Sequence, residues 1–150
     1  MIGAMQGGAA EPGALGTHEP RAALRLVRAS RAGAWTLVAV GAVVLGGWLF
    51  DLSFLTRLAP TLASMKANTA IVFVLLGFSL ERHHAGADPR LVRGLSACAL
   101  LIGALSLGEA ALGWNLGIDE LLFRDETVAP PGRPGLMATN TAVAVILLAL

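Results

Sequence analysis

A single carboxylate, Glu109, lies within a long apolar segment of this 150-residue chain. A charged side chain within a membrane span is costly, so such a residue is commonly retained to bind a ligand, move a proton or pair helices. Glu109 precedes Trp114 by about one and a half helical turns, near the end of its segment, where a plain interfacial carboxylate is the alternative. We predict that Glu109 and Trp114 belong to a sensing or ligand site.

Two Asn-Thr pairs provide the other polar groups at the ends of apolar segments. Asn68 and Thr69 begin one apolar run, and Asn140 and Thr141 begin another. An Asn side chain at a helix start can accept a free backbone N–H, so helix capping is the simplest interpretation. The alternative is that the two pairs lie side by side at the outer rim and form a polar pocket for a small ligand.

No other residues form a pattern that predicts chemistry. His83 and His84 are adjacent, a spacing that points two side chains apart on a helix with no third ligand nearby, so no metal site is predicted. The one cysteine, Cys98, lies in an apolar run and predicts neither a disulfide nor a thiolate site. No catalytic pair occurs within one leaflet, so we predict no catalysis and no cofactor. The few, dispersed basic residues do not predict nucleic-acid binding.

The composition predicts an integral membrane protein, with the lipid bilayer as its main partner. The chain is 55% hydrophobic and 14% charged, whereas soluble domains carry about 25% charged residues. Long uncharged runs predict an all-α membrane bundle with four spans, at about 32–50, 60–80, 91–114 and 137–150. The second span is short unless it begins near Pro60, with Lys66 extending to the surface. The fourth is still apolar at Leu150, so we expect it to be truncated.

The basic residues predict an orientation. Residues 1–20, rich in Gly, Ala and Pro, are expected to form a disordered tail. Residues 21–31 are expected to form a short basic helix at the membrane surface, because Arg21, Arg25, Arg28 and Arg31 recur there. With this tail and the 81–93 connection inside, seven of the eleven Lys and Arg residues are cytoplasmic, which predicts that both termini are cytoplasmic.

An internal repeat relates the two halves of the chain. M-K-A-N-T-A-I-V-F-V-L-L-G from Met65 aligns with M-A-T-N-T-A-V-A-V-I-L-L-A from Met137, and G-W-L-F-D from Gly47 resembles G-W-N-L-G-I-D from Gly113. This pattern predicts a duplicated helical hairpin whose copies are related by an axis along the membrane normal. In the outer loop of the second copy, residues 116–123 are expected to lie flat on the outer surface or to form a lid.

Small residues four apart predict close helix packing. They are Ala42 and Gly46 in the first span, and Gly94 with Cys98 and Ala104 with Gly108 in the third. Packing within the bundle is the simpler use, and homodimerisation through these faces is the alternative.

The motifs M-K-A-N-T-A, W-N-L-G-I-D-E-L-L-F-R-D and P-G-R-P-G-L-M-A-T-N-T-A resemble a multi-span sensor region, of no known ligand, at the amino end of bacterial histidine kinases and diguanylate cyclases. The resemblance covers roughly residues 32–150. It implies a membrane sensory or anchoring module in the bacterial inner membrane, followed by a cytoplasmic signalling domain. No phosphorylation box, ATP-binding glycine motif or G-G-D-E-F occurs in this chain. A small transporter or channel-like protein is the alternative function, because repeated hairpins often frame a central path.

Overall fold

The structure is a computed structural model, and it describes residues 19–52, 54–56, 65–113 and 137–150. Every regular element in these ranges is an α-helix, as the sequence predicts. The elements are α1 (Glu19–Leu49), α2 (Ala67–His84), α3 (Pro89–Leu112) and α4 (Thr139–Ala149). Two segments, Arg21–Leu49 of α1 and Pro89–Leu112 of α3, are long and apolar enough to cross a membrane, and α4 is a shorter apolar helix.

The first helix is longer than the sequence predicts. The basic segment 21–31 and the predicted span 32–50 form one continuous helix that begins at Glu19. No proline interrupts it after its first turn, and Gly33, at the expected junction, has no neighbouring atom where a side chain would be. A single glycine costs a helix only about 1 kcal/mol. The proposed disordered tail otherwise lies outside the described residues.

Helices α1 and α2 form an antiparallel hairpin with very close backbone contact. A methyl group at Gly41 of α1 would lie 2.6 Å from the carbonyl oxygen of Ala70, and one at Gly77 of α2 would lie 2.6 Å from that of Ala34. Only glycine permits this approach at either position. At the far end of α1, the Trp48 Nε1 donates to the carbonyl oxygen of Met65 at 3.0 Å. Trp48 is therefore half-buried against the start of α2.

A four-residue turn joins α2 to α3. Gly86 has a φ of 69°, in the left-handed region that glycine tolerates. Asp88 then caps α3 by accepting the Arg90 N–H at 2.8 Å, and Pro89 follows as the first helical residue. Within the α2·α3 contact, Ser79 Oγ donates to the carbonyl oxygen of Val92 at 3.1 Å and lies 3.0 Å from Ser96 Oγ.

Helix α4 packs against α3 and, over a smaller contact, against α2. A methyl group at Gly103 of α3 would lie 2.8 Å from Val145 Cγ1 and 3.4 Å from the carbonyl oxygen of Ala142. The buried core combines residues of all three helices with Met137, which precedes α4; its members are Val72, Leu76, Ala99, Met137, Ala142 and Val145. Helix α1 touches only α2 among the described helices.

The predicted small-residue pairs are not the ones that bring helices together. A methyl group at Gly46, Gly94 or Gly108 would meet no atom within 4 Å. The close contacts involve Gly41, Gly77 and Gly103, which were not among the predicted pairs. The prediction that these pairs pack within the bundle is therefore wrong for the described residues, because the helix faces that carry the pairs point away from the neighbouring helices.

Candidate functional site

The sequence led us to expect that the two Asn-Thr pairs cap their helices, but the structure shows that they do not. Helix α2 begins at Ala67 after Lys66, and α4 begins at Thr139 after Ala138, and neither preceding residue makes a side-chain cap hydrogen bond. Asn68 and Asn140 are the second residues of their helices, two positions after the capping residue. Lys66, with φ −70° and ψ 147°, is extended, so the prediction that a helix runs through Lys66 from Pro60 is also wrong at this residue; residues 57–64 lie outside the described part.

The pairs differ in their surroundings. Asn68 and Thr69 are 6% and 9% exposed, so both are buried at the start of α2. Asn140 is exposed and Thr141 is half-buried. The two pairs therefore differ in burial, and the common polar pocket that the sequence suggested as an alternative stays a prediction.

Glu109 lies at the end of α3 that is nearest the start of α2. It is 2% exposed, as is Ser106 one turn before it. Ser79 of α2 faces Ser96 of α3. The two helices are antiparallel and both rise about 1.5 Å per residue. Thr69, ten residues before Ser79, therefore lies at about the same level as Ser106, ten residues after Ser96. The structure thus groups Glu109 with Ser106 and Thr69 at one end of the bundle. Glu109 is buried within the protein, and its predicted partner Trp114 lies outside the described residues.

An ion pair that the sequence did not suggest closes the opposite end of the hairpin. Arg31 Nη2 lies 2.5 Å from Glu81 Oε1, and Arg31 Nε donates to Glu81 Oε2 at 3.1 Å. This two-pronged geometry is the one that a guanidinium and a carboxylate prefer. Arg31 therefore binds α2 rather than serving only as a membrane-surface residue. Its side chain is about half exposed, and that of Glu81 is largely covered.

The ion pair shifts the titration of both partners, which lie just outside the predicted spans. The hydrogen bond from Arg31 lowers the pKa of Glu81 below its ordinary value, the nearby positive charges lower it further, and burial opposes the shift. The hydrogen bond to Glu81 and its negative charge raise the pKa of Arg31. Glu81 is therefore ionised throughout the physiological pH range.

Two further contacts reinforce this end of α2. Ser30 Oγ lies 2.9 Å from His84 Nε2, next to the ion pair, and the Arg82 guanidinium lies 4.5 Å from the centre of the Phe78 ring. His83 and His84 meet edge to face with their ring centres 6.0 Å apart. Across the described ranges, no three His, Cys, Asp or Glu residues are grouped so that they could hold a metal ion.

The remaining predicted membrane-surface residues lie beyond these contacts. Arg21, Arg25 and Arg28 are on the first turns of α1, and residues 21–29 are all exposed. Because the last helical residue of α2 is His84, which meets Ser30, this basic part of α1 projects past the end of the hairpin. The same stretch exposes Leu24 and Leu26, which gives the projection both charged and apolar surface.

A groove of about 790 Å³ lies between α2 and α3, below the end of α4. Its wall is mainly apolar, and its polar lining comes from Ser79, Ser96, His83 and Arg93. The volume falls within the range of about 300–1,000 Å³ that small-molecule sites occupy. The sequence offered no signal for this groove, because it forms only when the helices pack.

Comparison of the chain with protein-family models, with curated proteins and with solved structures finds no match.

Proposed function

We propose that this chain is the membrane-embedded sensory module of a bacterial signal-transduction protein and that it performs no catalysis itself. One observation carries the proposal: Glu109, 2% exposed, is the one carboxylate of α3 and is buried near the end of this mainly apolar helix. An ionisable residue inside a membrane span is costly and is usually retained for function. Ser106, one turn before it on α3, and Thr69, at the same level on α2, provide polar groups at this end of the bundle.

The module has four spans built as a duplicated hairpin, with both ends in the cytoplasm. The hydropathy of α1 and α3 supports two of the spans. Support for the duplication comes from the matching starts of α2 and α4, seventy-two residues apart at Ala67 and Thr139. It also comes from the glycines of the preceding helices, since Gly41 lies against the carbonyl of Ala70 and Gly103 against that of Ala142, which align in the repeat. The basic bias supports the orientation.

In this proposal a change near Glu109 at the outer end alters the packing of α3, and the hairpins carry the change to a cytoplasmic output domain that follows α4. A kinase or nucleotide-cyclase domain is the expected output, as the resemblance of the outer motifs implies. The coding sequence beyond Leu150 tests this. Kinase or cyclase motifs after the fourth span are the expected result, and a second set of spans would contradict it.

Within that parent protein, Glu109→Gln tests the sensing role, because it keeps the shape of the side chain and removes its charge. We expect altered output with unchanged membrane insertion. The matched control is Asp51→Asn, which removes an exposed carboxylate outside the bundle. If insertion, oligomeric state and output are all unchanged in Glu109→Gln, the carboxylate has no role in sensing.

A small transporter or channel-like function is the second candidate, and the groove between α2 and α3 favours it. Ser79, Ser96 and Arg93 give that groove polar groups within an apolar wall. Flux of small solutes into vesicles that contain the protein would support this function. No flux, together with a signalling domain downstream, would exclude it.

A further inference from the structure

The two halves of the proposed duplication are not buried alike. On α2, Asn68, Val72 and Leu76 form one face and are 6%, 0% and 9% exposed. Their repeat equivalents on α4 are Asn140, Ala144 and Leu148, which are exposed, Leu148 to 71%. Residues four apart lie on one side of a helix, so the same face is covered in α2 and open in α4.

The cover over α2 comes from the next hairpin along the chain. Val72 and Leu76 share a core with Ala99 of α3 and Val145 of α4. An outward-running helix, α3, thus packs against the inward-running α2, with Ser79 and Ser96 in contact. For α4, no described helix takes the corresponding place.

The chain does contain an outward-running helix with an open face of the right kind. Among the described helices α1 contacts only α2, and its opposite side exposes Ala39, Ala42 and Val43, with open space beside Gly46. Small residues at this spacing permit close approach between helices in a membrane. In the proposed repeat, α1 and α3 are equivalent helices.

We propose that a second copy of this chain covers α4, with α1 of one protomer packed on the Asn140, Ala144 and Leu148 face of the other, as α3 packs on α2. Two such contacts close a ring of eight helices with a two-fold axis along the membrane normal, so no face is left to extend the assembly. The contact buries the Asn140 side chain, which otherwise faces lipid. This inference rests on the proposed membrane arrangement and specifies the partner of that module.

The contact can be tested by disulfide cross-linking at one depth in the membrane. Gly41 contacts Ala70, Ser79 meets Ser96 and Gly103 contacts Val145. These three contacts relate the depths of neighbouring helices, and counting residues from one contact to the next places Ala144 at the depth of Ala42 to within about one helical turn. In a Cys98→Ser background, the double variant Ala42→Cys with Ala144→Cys should form a disulfide-linked dimer in membranes.

Two controls make the result specific. Leu101→Cys with Ala144→Cys places a cysteine at the same depth on another exposed face, since Leu101 is 59% exposed, and it should stay monomeric. Ala42→Cys and Ala144→Cys alone should also stay monomeric, because the two positions meet each other and not themselves. Equal linkage in the controls, or no linkage in the double variant, would overturn the proposal.

Thiol labelling of Ala85→Cys in the same background reports whether the protein is inserted with its α2–α3 turn inside. If Ala85→Cys is protected from an impermeant reagent in intact cells and no linkage forms, the dimer alone is excluded and the sensory module is unaffected. If Ala85→Cys is labelled in intact cells, the proposed membrane arrangement itself is wrong. A monomeric mass in nanodiscs would show that lipid covers the α4 face, and this result would also overturn the proposed dimer.

Discussion

Gly41 and Gly77 occupy reciprocal positions in the α1–α2 hairpin, each against the backbone of the other helix. The added methyl group would lie 2.6 Å from a carbonyl oxygen in both cases, Ala70 for Gly41 and Ala34 for Gly77. Real carbon atoms do not approach a backbone oxygen so closely, and neither helix can yield without opening the hairpin along its length. These two contacts also fix the relative position of α1 and α2 along their axes, and this position brings Arg31 opposite Glu81.

Gly77→Ala should therefore destabilise the protein. Overpacking of a tight contact costs about 1–3 kcal/mol, which outweighs the gain of up to about 1 kcal/mol that alanine brings to a helix. The matched control is Gly94→Ala on α3, where a methyl group meets no atom within 4 Å, and that variant should be as stable as the parent or more so. Unfolding in detergent, followed by helix content, measures both. Equal stability of the two variants would contradict the packing described.

The Arg31–Glu81 ion pair predicts a pH dependence of stability. The pKa of Glu81 is lower in the folded protein than in the unfolded chain, so its contribution is complete above the ordinary Glu pKa of about 4.3 and is lost as the pH falls through the lowered value. Glu81→Gln should remove this part of the acid destabilisation and lower stability at neutral pH. Unfolding at a series of pH values tests it. Asp51→Asn is the matched control, because it removes a carboxylate at an exposed position whose positive φ Asn tolerates.

The charge pair can also be tested by exchange. Arg31→Glu and Glu81→Arg each place two like charges together and should destabilise the hairpin, whereas the double exchange should recover part of the loss. Coupling between the two sites in a double-mutant cycle is the measurement. Strictly additive effects would show that the pair contributes nothing in solution, as many exposed pairs do.

The Ser79–Ser96 contact predicts a coupled loss between α2 and α3. Ser79 is 4% exposed and donates to the carbonyl of Val92. Its replacement by alanine should cost about 1 kcal/mol, and Ser96→Ala should cost less once Ser79 is absent. Thr36→Ala is the comparison for loss of a hydroxyl, because Thr36 is exposed and its Oγ1 donates within its own helix to the carbonyl oxygen of Ala32. Independent effects of the two α2–α3 replacements would argue against a shared hydrogen bond.

The orientation is tested by accessibility of single cysteines to an impermeant thiol reagent, in a Cys98→Ser background. Ala85→Cys, in the exposed turn after α2, should be protected in intact cells, and Leu52→Cys, after α1, should be labelled. Gly86 is avoided because its positive φ would strain a cysteine. Labelling of Ala85→Cys without Leu52→Cys would invert the orientation.

The sequence by itself determined that the chain is helical and which segments are apolar, because both follow from local composition and spacing. The end of α3 at Gly113 and its start at Asp88 and Pro89 are likewise local, since they depend on the left-handed tolerance of glycine and on a side-chain cap. The repeat also had a local consequence: α2 and α4 begin at equivalent residues.

Only the tertiary structure decided which of these residues meet. Arg31 and Glu81 are fifty positions apart, and nothing in either segment specifies the partner. Gly41 and Gly46 are both glycines of α1, yet a methyl group would meet α2 at Gly41 and no atom within 4 Å at Gly46, because the rotation of a helix about its axis depends on its neighbours. Asn68 and Asn140 stand in matching sequences and differ in burial, since burial is a property of what packs against a helix and not of the helix itself.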